Sequence, residues 1–310
     1  MHIAIFGSGG VGGYFGGRLA QAGEQVTFIA RRQHLQAIQQ HGLRVDSVLG
    51  DFVIHPAQAT ADPATVGPVD VVLVAVKAWQ VPAAAEAIRP LVGPETMVVP
   101  LQNGVEAPAQ LSAVLGRRPV LAGLCGLVSF IAGPGHIKHA GVEPFVKFGE
   151  LDNERSQRVE RLYQAFAGAQ GLVVEVPADI HVAVWQKFML IVAWSGVGAV
   201  TRAPVGILRS IPETRRMLQD VVHEVYTVGR AHHVALPETS VAGTMLFFDK
   251  AAPENTASMQ RDIMEGRPSE LESQTGAVVR LGQEKGLETP LNSYIYHTLL
   301  PLELQARVDT

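Results

Sequence analysis

The sequence predicts an α/β fold, an N-terminal doubly wound parallel sheet followed by a second, all-α domain. Three observations carry this reading. Up to about residue 176, short β-branched runs alternate with helical stretches, the rhythm of a parallel sheet with helices on its faces. Runs such as VVLVAV are apolar without alternation, as strands covered on both sides must be. From Asp179 onward, three- and four-residue apolar spacings take over and alternating runs disappear. A chain of 310 residues has room for two domains. They are expected at 1–177 and 178–310, with Pro177 at the boundary.

In order, HIAIF reads as the first strand, 11–22 as a helix, QVTFIA as a strand and 33–40 as a helix. VDVVLVAVK, a helix over 81–88, TMVVPL and a helix over 107–115 continue the series. Gly23, Gly42 and Gly116 follow helical runs where a left-handed cap is needed. GLRVDSVLGDFVIHP and GHIKHAGVEPFVKFG read as two hairpins attached to this half. In the second half, Met217, Leu218, Val221, Val222, Val225 and Tyr226 mark one amphipathic helix. Val278, Val279 and Leu281 precede another helix end at Gly286.

Composition narrows the function classes. With 47% apolar residues, 17% charged and a formal net charge of −4, the chain has the make-up of a soluble globular protein, and no basic patch points to nucleic acid. The N-terminal apolar run breaks at glycine after a few residues, so neither a secretion signal nor a membrane span is expected, and the location expected is cytoplasmic. One cysteine, Cys125, forms no intrachain disulfide and reads as a small core residue. His136 with His139, and the His232-His233 pair, lack carboxylate or cysteine partners, so no metal is expected.

GSGGVG, Gly7, Ser8, Gly9, Gly10, Val11 and Gly12, follows the first strand directly and opens a helix. In that context the first glycine makes the turn, the second lets backbone approach a pyrophosphate, and the third packs helix on strand, as in Rossmann-type dinucleotide sites. The phosphates then lie on the helix N-terminus, whose N–H groups favour anions. An NAD site carries an acid at the end of the second strand to bind the ribose 2′-hydroxyl. Here that place reads FIARR, with Arg31 nineteen residues beyond Gly12 and no Asp or Glu. A guanidinium there suits a 2′-phosphate, so NADP (NADPH) is the expected cofactor, with Arg32 assisting. Lys77 and Asn103 end two further strands of the same sheet and are candidates for the phosphates or ribose and for the nicotinamide or substrate. Each alone is a weak signal, since Asn-Gly is above all a turn dipeptide.

WQKFMLIVAWS, 185–195, raises a different question. From Phe188 to Trp194 no side chain is polar, so a helix there is apolar all round and runs through a protein interior, with Lys187 at its mouth. A lysine that buries its stem and keeps its head in water is one reading; a catalytic ammonium is the other.

Together these segments resemble the 2-dehydropantoate 2-reductases, or ketopantoate reductases. The resemblance spans nearly the whole chain and rests on GSGGVG, VKAWQ at 76–80, QNG at 102–104, PGHIKHAG at 134–141, WQKF at 185–188 and NTASMQRDI at 255–263 followed by Glu270. It implies NADPH-dependent reduction of 2-dehydropantoate to pantoate, on the way to pantothenate and coenzyme A. It implies Lys187 as general acid, Glu270 as an active-site carboxylate, and Gly7 through Gly12, Arg31, Lys77 and Asn103 as cofactor residues. Ser258 is the implied substrate contact, and Asn103, Ser195 and Asn255 are further candidates for binding substrate. That role suits Lys187, because reducing a 2-oxo carbon leaves negative charge on oxygen, which needs a cation and a proton.

The match departs at Ile191 and Ser195, four and eight residues after Lys187, where the family carries asparagines. A buried amide that binds substrate is worth roughly 1–3 kcal/mol, so the pocket is expected to be drier and the substrate a 2-oxo acid with a more apolar or bulkier tail. Two rivals stand beside this: a hydroxy-acid dehydrogenase of the same plan working oxidatively, and a non-catalytic NADP sensor, which would not need Lys187, Ser258 and Glu270. The partner expected is the small-molecule 2-oxo acid; a homodimer is compatible with apolar helical faces, although no motif signals it.

Overall fold

The structure, a computed structural model, describes residues 1–308. The chain divides into two compact units. One comprises Met1–Gln102 and Ala107–Ile180; the other comprises Asn103–Glu106 and the chain from His181 onward.

The first unit runs β1 (His2–Phe6), α1 (Gly10–Gln21), β2 (Gln25–Ile29), α2 (Arg32–His41), β3 (Leu43–Ser47), β4 (Phe52–Ile54), β5 (Gln58–Thr60) and β6 (Val69–Val74). It continues with α3 (Val81–Ala87), β7 (Val92–Pro100), α4 (Ala107–Leu115), β8 (Leu121–Gly126), β9 (Ser129–Gly133), β10 (His136–His139), β11 (Phe145–Glu150), α5 (Gln157–Ala167) and β12 (Val173–Glu175). Five parallel strands lie in the order β5-β2-β1-β6-β7, so the chain leaves the centre first to one side and then to the other. This is the Rossmann-type, doubly wound arrangement that the alternating apolar runs predict.

Burial on both faces follows from strand geometry. Successive side chains point to opposite faces, and β1 divides accordingly. Ile3 and Ile5 join a core that contains Tyr14, Phe15 and Leu19 of α1 and Phe166 of α5. Ala4 and Phe6 join another built on Val81, Ala84 and Ala85 of α3 and Leu111 of α4. Cys125 is buried in the first of these, its thiol directed at the Leu101 carbonyl at 3.5 Å.

The GLRVDSVLGDFVIHP stretch forms the expected hairpin, β3 with β4 antiparallel. GHIKHAGVEPFVKFG does not. Its two strands, β10 and β11, belong to different sheets: β10 pairs with β9 and β3, and β11 pairs with β8 and β12. The physical reason lies in loop closure. The two-residue connection Pro134-Gly135, with Gly135 at φ +68°, closes β9 onto β10 at lower entropic cost than the longer link to β11. β5, a short polar strand at the sheet edge, carries no apolar run that would signal it in the sequence.

The second unit contains α6 (Ile180–Thr201), α7 (Val205–Ser210), α8 (Pro212–Ala231), α9 (Ser240–Lys250), α10 (Ser258–Met264), α11 (Thr275–Glu284) and α12 (Pro290–Val308), with no strand among its described residues. α6 is the core helix. Phe188, Met189, Val192, Ala193 and Val197 are buried against residues of α8, α9, α11 and α12, and each large side chain contributes about 2 kcal/mol. By length and composition alone α6 could cross a membrane, but 56% of its apolar window is buried within the structure. The helix also begins two turns before the apolar run, so Lys187 lies inside it rather than at its mouth.

Gly12 sets how closely α1 approaches the sheet. A Cβ there would lie 2.2 Å from the Gly7 carbonyl oxygen and 2.8 Å from Ile5 Cγ2. Gly12→Ala is therefore expected to cost about 1–3 kcal/mol and lower the midpoint of thermal unfolding. A melting temperature equal to the parent's would show that α1 can move away freely.

Candidate functional site

The candidate nucleotide site of the sheet unit is built from backbone. β1 pairs in parallel with β2 and β6, with Phe6 opposite Ile29 and Val74, so the chain leaves all three strands at one edge of the sheet. There Gly7, at φ +101°, makes a turn that an L side chain would strain, and its Cβ would lie 2.9 Å from the Ala75 and Val76 backbone. Ser8 is buried and donates from Oγ to the Ile29 carbonyl at 3.0 Å. Gly9 is the N-cap of α1, and space is open where its Cβ would project. No side chain caps α1 and no acid occupies its first turn, so its first N–H groups and dipole are directed to an external anion. Val11 is half-buried, and Gly10 and Gly12 are closed in by neighbouring backbone. Gly7 makes the turn and Gly12 packs close against β1, while Gly9 leaves its surroundings open.

Arg31 follows β2 as the exposed N-cap of α2, in extended backbone, and no acid lies between β2 and α2. Arg32 next to it holds φ +53°, an uncommon conformation for a non-glycine residue. Lys77 is exposed after β6, with its Nζ 5.7 Å from the Trp79 ring centre. Gln102, to which the QNG motif assigned no role, donates from Nε2 to the carbonyls of Val74 at 2.8 Å and Val76 at 3.0 Å, and so ties the end of β7 to the end of β6. These groups fit a nicotinamide dinucleotide: an uncapped helix N-terminus behind a glycine turn, and a guanidinium at the end of β2.

The helical half is built from side chains. Residues 103–106 leave the sheet and pack with the helices: Gly104, at φ +115°, lies against the Ser273 carbonyl, and Glu106 pairs with Arg280 at 2.9 Å. Asn103 thereby meets Glu270, donating from Nδ2 to Oε2 at 3.2 Å. Gln274, fully buried and one helical turn on, donates from Nε2 to the same oxygen at 3.3 Å. The preceding Ser269 is clamped by Glu303 of α12, which accepts from its backbone N–H at 2.9 Å and its hydroxyl at 2.5 Å. Only 6% of Glu270 is exposed, although it lies in the polar stretch RPSELES. Glu303 and Gln274 were not visible as partners because they meet Glu270 or its neighbour only through the fold.

Along α6, Ala183, Lys187, Leu190, Ile191 and Trp194 are half-buried and recur at helical spacing, so they form one stripe, in which Leu190 and Trp194 also pack against the core. Ile191 and Trp194 lie about 6 and 10 Å along the axis from Lys187. Trp194 packs edge-on to Phe247 and Phe248 at 6.0 and 6.1 Å. Ser195 turns inward. It is fully buried, and its Oγ has no hydrogen-bond partner within the described residues. Ser258 opens α10 and Asn255 lies just before it, both half-buried. The fully buried Gln260 secures this end: it donates to the Ala203 carbonyl at 3.0 Å, accepts from the Ala257 N–H at 3.3 Å, and lies where a Cβ on Gly198 of α6 would project.

Comparison with known proteins shows the family. The family model described as "Ketopantoate reductase PanE/ApbA" matches residues 3–153, and "Ketopantoate reductase PanE/ApbA C terminal" matches 179–303. An uncharacterized oxidoreductase, YkpB, of Bacillus subtilis is 28% identical over 98% of this chain and 100% of its own. The 2-dehydropantoate 2-reductase of Mesorhizobium japonicum is 30% identical over 94% of each chain. Among solved structures, a PanE/ApbA family ketopantoate reductase from Ralstonia eutropha JMP134 superposes with a TM-score of 0.88 and 33% identity, covering 99% of this chain and 100% of that one.

Gln274→Met removes one of the two amide donors to Glu270 at nearly constant volume. Turnover is expected to fall about tenfold while nucleotide affinity is unchanged, as steady-state kinetics and a fluorescence titration would read. Unaltered turnover would show that the Asn103 amide alone holds the carboxylate.

Proposed function

The chain belongs to the ketopantoate reductase family and is an oxidoreductase that works with a nicotinamide cofactor, and from that premise we propose that it uses NADPH to reduce a 2-oxo acid to the 2-hydroxy acid. In this reading the sheet unit binds the cofactor, the helical unit carries the catalytic groups, and the substrate by resemblance is 2-dehydropantoate, in a cytoplasmic route to pantothenate. The carrying observation is Arg31 at the end of β2 with no acid beside it, together with a half-buried Lys187 inside a core helix.

A bound nicotinamide supplies the hydride; the chain supplies charge and a proton. Lys187 places an ammonium where oxygen becomes anionic and donates the proton that completes the alcohol. Glu270, its rotation set by the amides of Asn103 and Gln274, orients substrate and Lys187. Asn103, Asn255 and Ser258 offer hydrogen bonds to the carboxylate and tail of the substrate.

A second reading keeps the chemistry and changes the tail. Leu190 and Ile191 are the next side chains after Lys187 along the half-buried stripe, followed by Trp194, which packs on Phe247 and Phe248. An apolar or aromatic 2-oxo acid fits such a surface better than a hydroxylated one. Ser195, buried in the helical core, gives the first reading no support as a substitute for the family's second asparagine.

Oxidation of NADPH and of NADH is measured with 2-dehydropantoate beside branched and aromatic 2-oxo acids. Preference for 2-dehydropantoate supports the pantothenate reading, and preference for an aromatic acid supports the second. Arg31→Ala is expected to weaken NADPH binding about tenfold or more with little change for NADH; equal loss for both would remove the 2′-phosphate assignment. Lys187→Ala should lower kcat by about 10²–10⁴ with NADPH still bound, and turnover that survives it would overturn the general-acid role.

A further inference from the structure

The imidazole of His34 joins the glycine loop to a part of the fold remote in sequence. His34 lies in the first turn of α2, half-buried, with Nε2 2.8 Å from the Ser8 carbonyl oxygen. Its other nitrogen, Nδ1, accepts from the Gly135 N–H at 3.0 Å. A carbonyl can only accept and an amide N–H can only donate, so the two bonds require the neutral ring with its proton on Nε2. The anchor at Gly135 is itself held. Its carbonyl accepts from the Arg44 N–H at 2.9 Å, and a Cβ on it would lie 3.0 Å from Ala37 of α2.

We propose that His34 is a positioning residue for the pyrophosphate-binding loop, one that aims the Gly9 N–H at the phosphates of the cofactor. The Ser8 carbonyl and the Gly9 N–H belong to one planar trans peptide and point in opposite directions. Holding the carbonyl therefore sets the direction of the N–H. Gly9 has no side chain to restrict it and open space about it, so its peptide plane would otherwise turn at little cost. The Ser8 hydroxyl bond to Ile29 fixes the side chain, not this plane. His34 thus acts on the cofactor through the loop, without touching it.

The proposal rests on reading the glycine loop as the dinucleotide site, and its test separates the two. Dissociation constants for NADPH, NADH and adenosine 2′-phosphate, which lacks the pyrophosphate, are measured on the full chain and on H34L, H34F and H34Q, with thermal melting of each. A glutamine can donate to Ser8 and accept from Gly135 as the imidazole does; leucine and phenylalanine keep only bulk. H34L and H34F are expected to bind NADPH about tenfold more weakly, H34Q within about threefold of the parent, and all to bind adenosine 2′-phosphate equally. If H34L and H34F do not fold, H34N, too short to span both bonds, takes their place. Parent-like NADPH binding by H34L or H34N, a loss in H34Q as large as theirs, or an equal loss for adenosine 2′-phosphate would each overturn the proposal. Failure of the unaltered protein to bind either dinucleotide would instead remove the site reading, and the proposal with it.

Discussion

The nucleotide half depends on how near α1 lies to its neighbours. Cβ atoms are absent where the helix meets other chain: a methyl on Gly12 or Gly16 would run into Ile5, one on Gly13 into Ile137 of β10, and one on Gly17 into Phe52 of β4. The helix is wedged between the main sheet and the smaller β4-β3-β10-β9 sheet. Its remaining face carries Tyr14, Phe15 and Leu19 into the core, so the approach is driven by burial as well as permitted by glycine. Once α1 sits there, its N-terminus must lie over the ends of β1, β2 and β6, and the turn at Gly7 has one path.

The helical half is held differently. Glu270 owes its place to a chain of side-chain bonds: Glu303 of α12 clamps Ser269, and amides from Gln274 and Asn103 fix one carboxylate oxygen. Buried polar groups bonded in this way specify position strongly, because each is costly to leave unmatched. A backbone cradle tolerates little change in residue size, whereas a side-chain network tolerates little change in residue type. The two halves are thus sensitive to different kinds of substitution.

α6 connects structure with chemistry. Most of its surface builds the core of the second unit, and the cost of a lysine there is met by keeping Lys187 on the half-buried stripe. That stripe also carries one of the two departures from the family's pattern. Ile191 lies on it and Ser195 does not, so the two positions singled out by resemblance are unequal: one faces the stripe, the other the core.

The sequence by itself determined the class of fold, the glycine loop and its helix, the arginine at the end of β2 and the helical second half, because each is a local pattern read over a few residues or one repeated period. Pairing choices and partners were decided only in three dimensions. The similar strands β10 and β11 went to different sheets because the Pro134-Gly135 turn and the available edges chose between pairings of equal pattern. Residues 103–106 joined the helices although they follow β7 of the sheet. Glu270 met Asn103 and Gln274, and His34 met Ser8 and Gly135, across separations that no spacing rule reports. Such contacts depend on where packed elements bring distant side chains, and that is set by the burial of the whole core rather than by any local stretch.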